Sequence, residues 1–138
     1  MTSALLNILL VEDDVVDVMN VKRAFDKNHI TNPLYVAENG VAALRMLRAG
    51  EVPKDRRIVL LDLNMPRMNG IEFLQALRAD PELKSTSVVV LTTSNNERDK
   101  IEAYDLNVAG YLLKPVTFSE FAELMAALNK YWSLVEMP

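Results

Sequence analysis

The sequence predicts an α/β fold in which one sheet of five parallel strands is covered by helices on both faces. Three observations predict it. Short apolar runs of strand length alternate five times with segments of helical length. The runs are continuously apolar, as strands buried on both faces must be, rather than alternating. Turn-forming residues fall between the segments and not inside them. With 138 residues, half of them apolar and a quarter charged, the chain has the size and composition of one globular domain, 1–138, with a single substantial core.

Taken in order, the strands are "ILLV" 8–11, "LYVA" 34–37, "IVLL" 58–61, "VVVL" 88–91 and "YLL" 111–113. Between them, Val15 to Lys27, Val41 to Ala49, Ile71 to Ala79 and Glu97 to Leu106 are helical in length and composition. A last helix, roughly Ser119 to Trp132, carries Phe121, Leu124, Met125, Leu128 and Trp132 at helical spacing, so one face of it is core. Thr117 or Ser119 supplies its N-cap, and Glu120 and Glu123 suit its positive dipole end. Asn39-Gly40, Gly50 with Pro53, Pro66 with Asn69-Gly70, Asp80-Pro81 and Asn107 to Gly110 punctuate the elements. The longest connection, "GEVPKDRR", reads as a solvated surface segment. Right-handed crossovers then favour the flavodoxin-like doubly wound (βα)5 sandwich, with strand order 2-1-3-4-5.

Composition excludes several functions. The net charge of −4 and the lack of a long Lys/Arg cluster disfavour direct nucleic-acid binding. Without cysteine there are no disulfides, thiolate metal sites or cysteine nucleophiles, which makes the cytoplasm the default compartment. "ALLNILLV" is too short for a signal peptide and lacks a basic region before it. No apolar run is long enough to span a membrane.

In a sheet of this order, ligands bind beyond the carboxyl ends of the strands, near the switch between strands 1 and 3. The sequence places Glu12-Asp13-Asp14 at the end of the first strand, Asp62 at the third, Thr92-Thr93-Ser94 at the fourth and Lys114-Pro115 at the fifth. Glu12, Asp13 and Asp62 would repel one another by several kcal/mol at an effective dielectric near 20, so a cation is required. Oxygen ligands suit Mg²⁺ or another hard divalent ion, and the absence of Cys and nearby His disfavours zinc. Three carboxylates, Lys114 and a dication sum to neutrality. A phosphoryl group on Asp62 would then be held by the metal, Lys114 and the Thr92 hydroxyl, which describes a carboxylate nucleophile for phosphoryl transfer.

"LLVEDD", "LLDLNMPRMNG", "VVVLTTS" and "GYLLKP" stand in the order and spacing of the receiver domain of two-component response regulators. The resemblance covers nearly the whole chain. It implies a chain without an effector domain that is not an enzyme beyond its own phosphorylation and dephosphorylation. Asp62 would accept a phosphoryl group from a sensor histidine kinase or a phosphotransfer protein. Asp13, with Glu12 mainly through water, would hold Mg²⁺ together with the Asp62 side chain and the Asn64 backbone carbonyl. Lys114 would pair with a phosphoryl oxygen, Thr92 would turn its hydroxyl to it, and Tyr111 would follow from an outward to an inward rotamer. Pro115 resembles the family's cis proline. Asn64 and Ser94 resemble positions that tune dephosphorylation. "LTTSN" and the tail are similar to single-domain regulators of phytochrome-type kinases, several of which are homodimers.

Blander readings stand beside these. Asp62 alone would be a turn or cap residue, and only the other strand ends decide against that. Asp14 reads as a helix cap outside the metal shell, His29 as solvated, and Met65 and Met68 as loop packing, while Pro66 and Gly70 set the turn into the third helix. The segment "NERDKIEAYDL", with six charged residues and few apolar anchors beyond Ile101, Tyr104 and Leu106, predicts a loosely held fourth helix. Its face, with strand 5 and helix 5, is the expected output surface. The tail 131–138 either folds back on the core or forms an interface, and the interface is preferred. A haloacid-dehalogenase-like phosphatase would need a second Asp where Asn64 stands, and a flavin phosphate would meet repulsion from "EDD". A pseudo-receiver would lack one of the acids or the lysine.

Overall fold

Five strands and five helices alternate along the chain in the computed structural model, which describes residues 5–65 and 68–135. They are β1 (Asn7–Val11), α1 (Val15–Lys27), β2 (Leu34–Ala37), α2 (Gly40–Arg48), β3 (Arg57–Leu61), α3 (Gly70–Ala79), β4 (Ser87–Thr92), α4 (Glu97–Asp105), β5 (Gly110–Leu113) and α5 (Phe118–Leu134). The strands form one parallel sheet in the order β2-β1-β3-β4-β5, as the sequence predicts.

Between their polar ends, at Asn7, Arg57, Ser87 and Thr92, the strands are continuously apolar because each faces two cores. Leu9, Val11, Val59, Leu61, Val88 and Val90 point to one side, against Leu44 and Leu47 of α2, Phe73, Leu74 and Leu77 of α3 and Ala103 of α4. Ile8, Leu10, Ile58, Leu60, Val89 and Leu91 point to the other, against Val21 and Phe25 of α1 and Phe121, Met125 and Trp132 of α5. Successive side chains on a strand face opposite ways, which splits each apolar run between the two layers. Each fully buried Leu or Val in them contributes roughly 1.5–3 kcal/mol relative to exposure.

The helix starts follow their caps. Asp14 accepts hydrogen bonds from the backbone N–H groups of Val16 and Asp17, and so caps α1 as expected. Asn39, Asn96 and Thr117 cap α2, α4 and α5. Asn69 and Glu72 close a reciprocal capping box at α3. Arg78 at the end of α3 reaches across to donate to the carbonyls of Lys84, Thr86, Leu106 and Asn107, which ties the entry of β4 to the exit of α4.

Two expectations change. The connection 50–57 is not simply a solvated run: Val52 is fully buried, and Arg57 opens β3 with its guanidinium donating to the Val52 carbonyl and the Thr86 hydroxyl. In the tail, Trp132 lies inside α5 and is buried in the α1/α5 core, whereas Tyr131 and Leu134 are exposed. The interface reading therefore retains only those two side chains and Val135, and Met137 lies outside the described residues. No described helix is long and apolar enough to cross a membrane.

Helix α4 is held even more weakly than its sequence predicts. Ala103 is its one buried residue among those described, and Ile101 and Tyr104, expected as anchors, are both more than half exposed.

Candidate functional site

Strand register alone brings the strand ends together. Val11 pairs with Leu61, Leu61 with Val90 and Thr92 with Leu113. Three backbone bonds extend the ladder past the last apolar residues: Glu12 N–H donates to the Ala37 carbonyl, Asp62 N–H to Val11 and Lys114 N–H to Thr92. Glu12, Asp62, Thr92 and Lys114 thus emerge side by side at one edge.

Asp62 is buried and surrounded by donors. Its Oδ1 accepts from the Thr92 hydroxyl at 2.8 Å and from the Asn64 N–H at 3.2 Å, and its Oδ2 faces Lys114 Nζ at 3.4 Å. The loop after it is fixed by close packing. Gly70 donates its N–H to the Leu63 carbonyl, and a Cβ at Gly70 would stand 2.6 Å from Leu63 Cα and 2.8 Å from the Asp62 carbonyl oxygen. Only glycine lets α3 begin so near the Asp62 backbone. Met65 is buried in the core and Met68 packs against it, so both are loop packing. Pro66 lies outside the described residues.

One carboxylate oxygen each from Glu12, Asp13 and Asp62 lie within 4.8 Å of one another, with Asp13 exposed and the other two buried. At that spacing two like charges repel by ~3–4 kcal/mol at an effective dielectric of ~20. All-oxygen donors on a half-open, negatively charged shelf fit a hard divalent cation. Asp13 and Asp62 would hold it. Both oxygens of Glu12 already have partners, Lys114 Nζ at 2.5 Å and the Asp14 N–H at 3.3 Å, which suits a role through water.

Burial raises the Glu12 carboxyl from 4.5 to about 7; the Lys114 ammonium pulls against that rise and the Asp62 charge adds to it. For Lys114, burial opposes the charged form. Hydrogen bonds to Asp17 and Glu12, with the charges of Glu12 and Asp62, outweigh it and hold the ammonium above its usual pKa.

The lysine has a partner that the sequence reading missed. Asp17, in the first turn of α1, accepts from Lys114 Nζ at 2.8 Å, a shorter contact than that to Asp62. In the sequence Asp17 is an ordinary first-turn acid of α1, suited to the helix dipole, and nothing local points to this contact. The charge count at the site is therefore one unit more negative than neutrality.

The Lys114–Pro115 bond is trans, which corrects the expectation of a cis proline at Pro115. Trans is the lower-energy isomer by about 0.5–1 kcal/mol, and Lys114 is aimed into the site by its backbone bond to Thr92 and by three carboxylates.

The remaining residues link the site to α4. Tyr111 packs against the core and its hydroxyl donates to the Ser94 carbonyl at 2.8 Å. The Ser94 hydroxyl donates to Asp99 in the first turn of α4 at 2.6 Å, while Thr93 is exposed. His29 is exposed in a left-handed turn, away from these residues in the sequence.

A family model described as the response regulator receiver domain matches residues 8–128. Response regulator Rcp1 of Synechocystis sp. is 37% identical over 128 residues, covering 91% of this chain and 87% of the relative. Among solved structures, the phosphorylated cyanobacterial phytochrome response regulator RcpA superposes with a TM-score of 0.84 at 33% identity, covering 97% of this chain and 98% of that one. The Mn²⁺-bound form of response regulator Rcp1 gives a TM-score of 0.82 at 36% identity, covering 95% and 97%.

Proposed function

This chain belongs to the response regulator receiver domain family, and we propose that it accepts a phosphoryl group on Asp62, with Mg²⁺, from a sensor histidine kinase or phosphotransfer protein. The family is regulatory. The observation that carries the assignment is the convergence of Glu12, Asp13 and Asp62 within 4.8 Å beside the Thr92 hydroxyl and the Lys114 ammonium.

Bound Mg²⁺ would neutralise charge on the donor's phosphoryl oxygens, held by Asp13, Asp62, the Asn64 carbonyl and, through water, Glu12. An Asp62 carboxylate oxygen attacks phosphorus in line. The new O–P bond forms as the bond to the donor's imidazole nitrogen breaks, and the electron pair leaves with the imidazole. Lys114 and Thr92 donate to the oxygens of the group that arrives. That Rcp1 has a Mn²⁺-bound form and RcpA a phosphorylated one supports this reading.

The donor must approach over the rim of the site. Val15, Val16 and Met19 of α1 and Val116 after β5 are exposed apolar side chains there, a surface suited to a helical partner rather than to solvent alone. A phytochrome-type kinase is the partner that the similarity to the phytochrome response regulator RcpA favours. Cytoplasmic location follows from that partnership.

Output is assigned to α4, β5 and α5. Thr92 binds Asp62, Tyr111 binds the loop after β4, and Ser94 binds α4, so a displacement of Thr92 toward a phosphoryl group reaches the least anchored helix. The edge strand β5, the exposed Tyr131 and Leu134, and an apolar groove between them lined by Val89, Leu112 and Leu128 are assigned to homodimerisation.

With Mg²⁺ and a small acyl-phosphate donor, intact-mass measurement should show one added phosphoryl group per chain, and none when the metal is chelated. No gain with the metal present contradicts the proposal. Lys114→Ala should still fold and take up the group, but amide chemical shifts in α4 should no longer respond to it. An unaltered α4 response would show that Lys114 does not couple the phosphoryl group to α4.

A further inference from the structure

We propose that Asp17 is a positioning residue that holds the Lys114 ammonium away from Asp62 until a phosphoryl group draws it across. The proposal rests on the reading of Asp62 as the phosphoacceptor.

An ammonium has three N–H donors, and three carboxylates face this one: Glu12 at 2.5 Å, Asp17 at 2.8 Å and Asp62 at 3.4 Å. The longest contact is to the residue that changes during function. Lys114 therefore rests on the α1 side of the site, and a doubly charged phosphoryl group on Asp62 competes for it. To bring the ammonium closer to Asp62, one of the two short contacts must loosen.

Burial decides which. The Glu12 side chain is 2% exposed, so it has no solvent to replace the lysine, whereas the Asp17 side chain is 35% exposed. Glu12, Asp17 and Lys114 line one small cavity with Asn20, Val116 and Thr117, so either pair has room to separate and exposure alone chooses between the two acids. Releasing Asp17 into water leaves a hydrated carboxylate, and releasing Glu12 would leave a buried charge without a partner. Asp17 is thus the contact given up, and its strength sets how readily the site takes the phosphoryl-bound arrangement.

The test is the affinity for beryllofluoride, a phosphoryl mimic, by calorimetry in saturating Mg²⁺. Asp17→Asn should bind it about fivefold more tightly than the wild type, the size expected for losing one partly exposed ion pair. Asp17→Ser, which also suits a first helical turn, should do the same. In a Lys114→Met background the gain from Asp17→Asn should vanish. Unchanged or weaker binding by Asp17→Asn and Asp17→Ser would overturn the proposal, because Asp17 would then only brace the site. An equal gain in Lys114→Met would overturn it too, because the effect would be the general field of one carboxylate. A wild-type protein that binds no beryllofluoride would instead count against Asp62 as the phosphoacceptor.

Discussion

Asp62→Asn should take up no phosphoryl group under conditions in which the wild type takes up one per chain, and it should do so without loss of fold. The amide is nearly isosteric and keeps an oxygen for the two donors that now reach Oδ1, the Thr92 hydroxyl and the Asn64 N–H. What it loses is the nucleophile and one negative charge. Lys114 keeps its two shorter contacts, to Glu12 and Asp17. Removing one of three crowded carboxylates relieves repulsion in the metal-free protein, so its Tm should equal or exceed that of the wild type. Mg²⁺ affinity should fall, since a ligand is gone. Intact-mass measurement and thermal unfolding check the two halves. A variant that still gains the phosphoryl mass, or one that unfolds well below the wild type, would contradict the role or the geometry assigned to Asp62.

The second large effect is a dependence of metal binding on pH that comes from Glu12. In an unfolded chain this carboxyl titrates near 4.5, and burial holds its proton in the folded, metal-free protein up to about pH 7. A raised pKa stabilises the folded state fully below about pH 4.5, and the contribution is lost as pH rises through about 7. At ~1.4 kcal/mol per pH unit, the window is worth up to ~3 kcal/mol. A dication beside the site needs Glu12 ionised, because a neutral Glu12 leaves the Lys114 ammonium without its nearest counter-charge. Metal and proton therefore compete. The apparent Mg²⁺ affinity should be level above pH 7 and fall about tenfold per unit below it. Mg²⁺ should accordingly raise Tm more at pH 8 than at pH 5.5. Glu12→Gln should flatten the profile. An affinity independent of pH between 5.5 and 8 in the wild type would separate Glu12 from metal binding.

Most of the fold was legible because the strands are buried on both faces, which makes each a short continuous apolar run that few other structures share. The caps were legible where side-chain chemistry is local: Asp14 and Thr117 act within three residues of themselves. Parallel register then placed Asp62 and Glu12 as neighbours without further information, since both directly follow paired residues, Leu61 and Val11.

What remained hidden depends on side-chain direction and on contacts distant in sequence. Asp17 reads as an ordinary first-turn acid that favours the helix dipole, and only the reach of Lys114 across 97 positions gives it another part. Arg57 reads as one charge in a polar run because its acceptors, the Val52 carbonyl and Thr86, are brought to it by folding. The isomer of the Lys114–Pro115 bond has no local signature, and in this chain it is trans. Trp132 fits both a core stripe and an exposed tail until the length of α5, which runs to Leu134, settles its direction.

The central claim is that Asp62 carries the phosphoryl group, and locating that group tests it most directly. The protein is loaded with Mg²⁺ and an acyl-phosphate donor, the aspartyl phosphate is reduced with borohydride to homoserine, and the digested chain is sequenced by mass spectrometry. Homoserine is expected at position 62 and nowhere else. Homoserine at Asp13 or Asp17, or none at 62 in a chain that has gained phosphoryl mass, would contradict the claim.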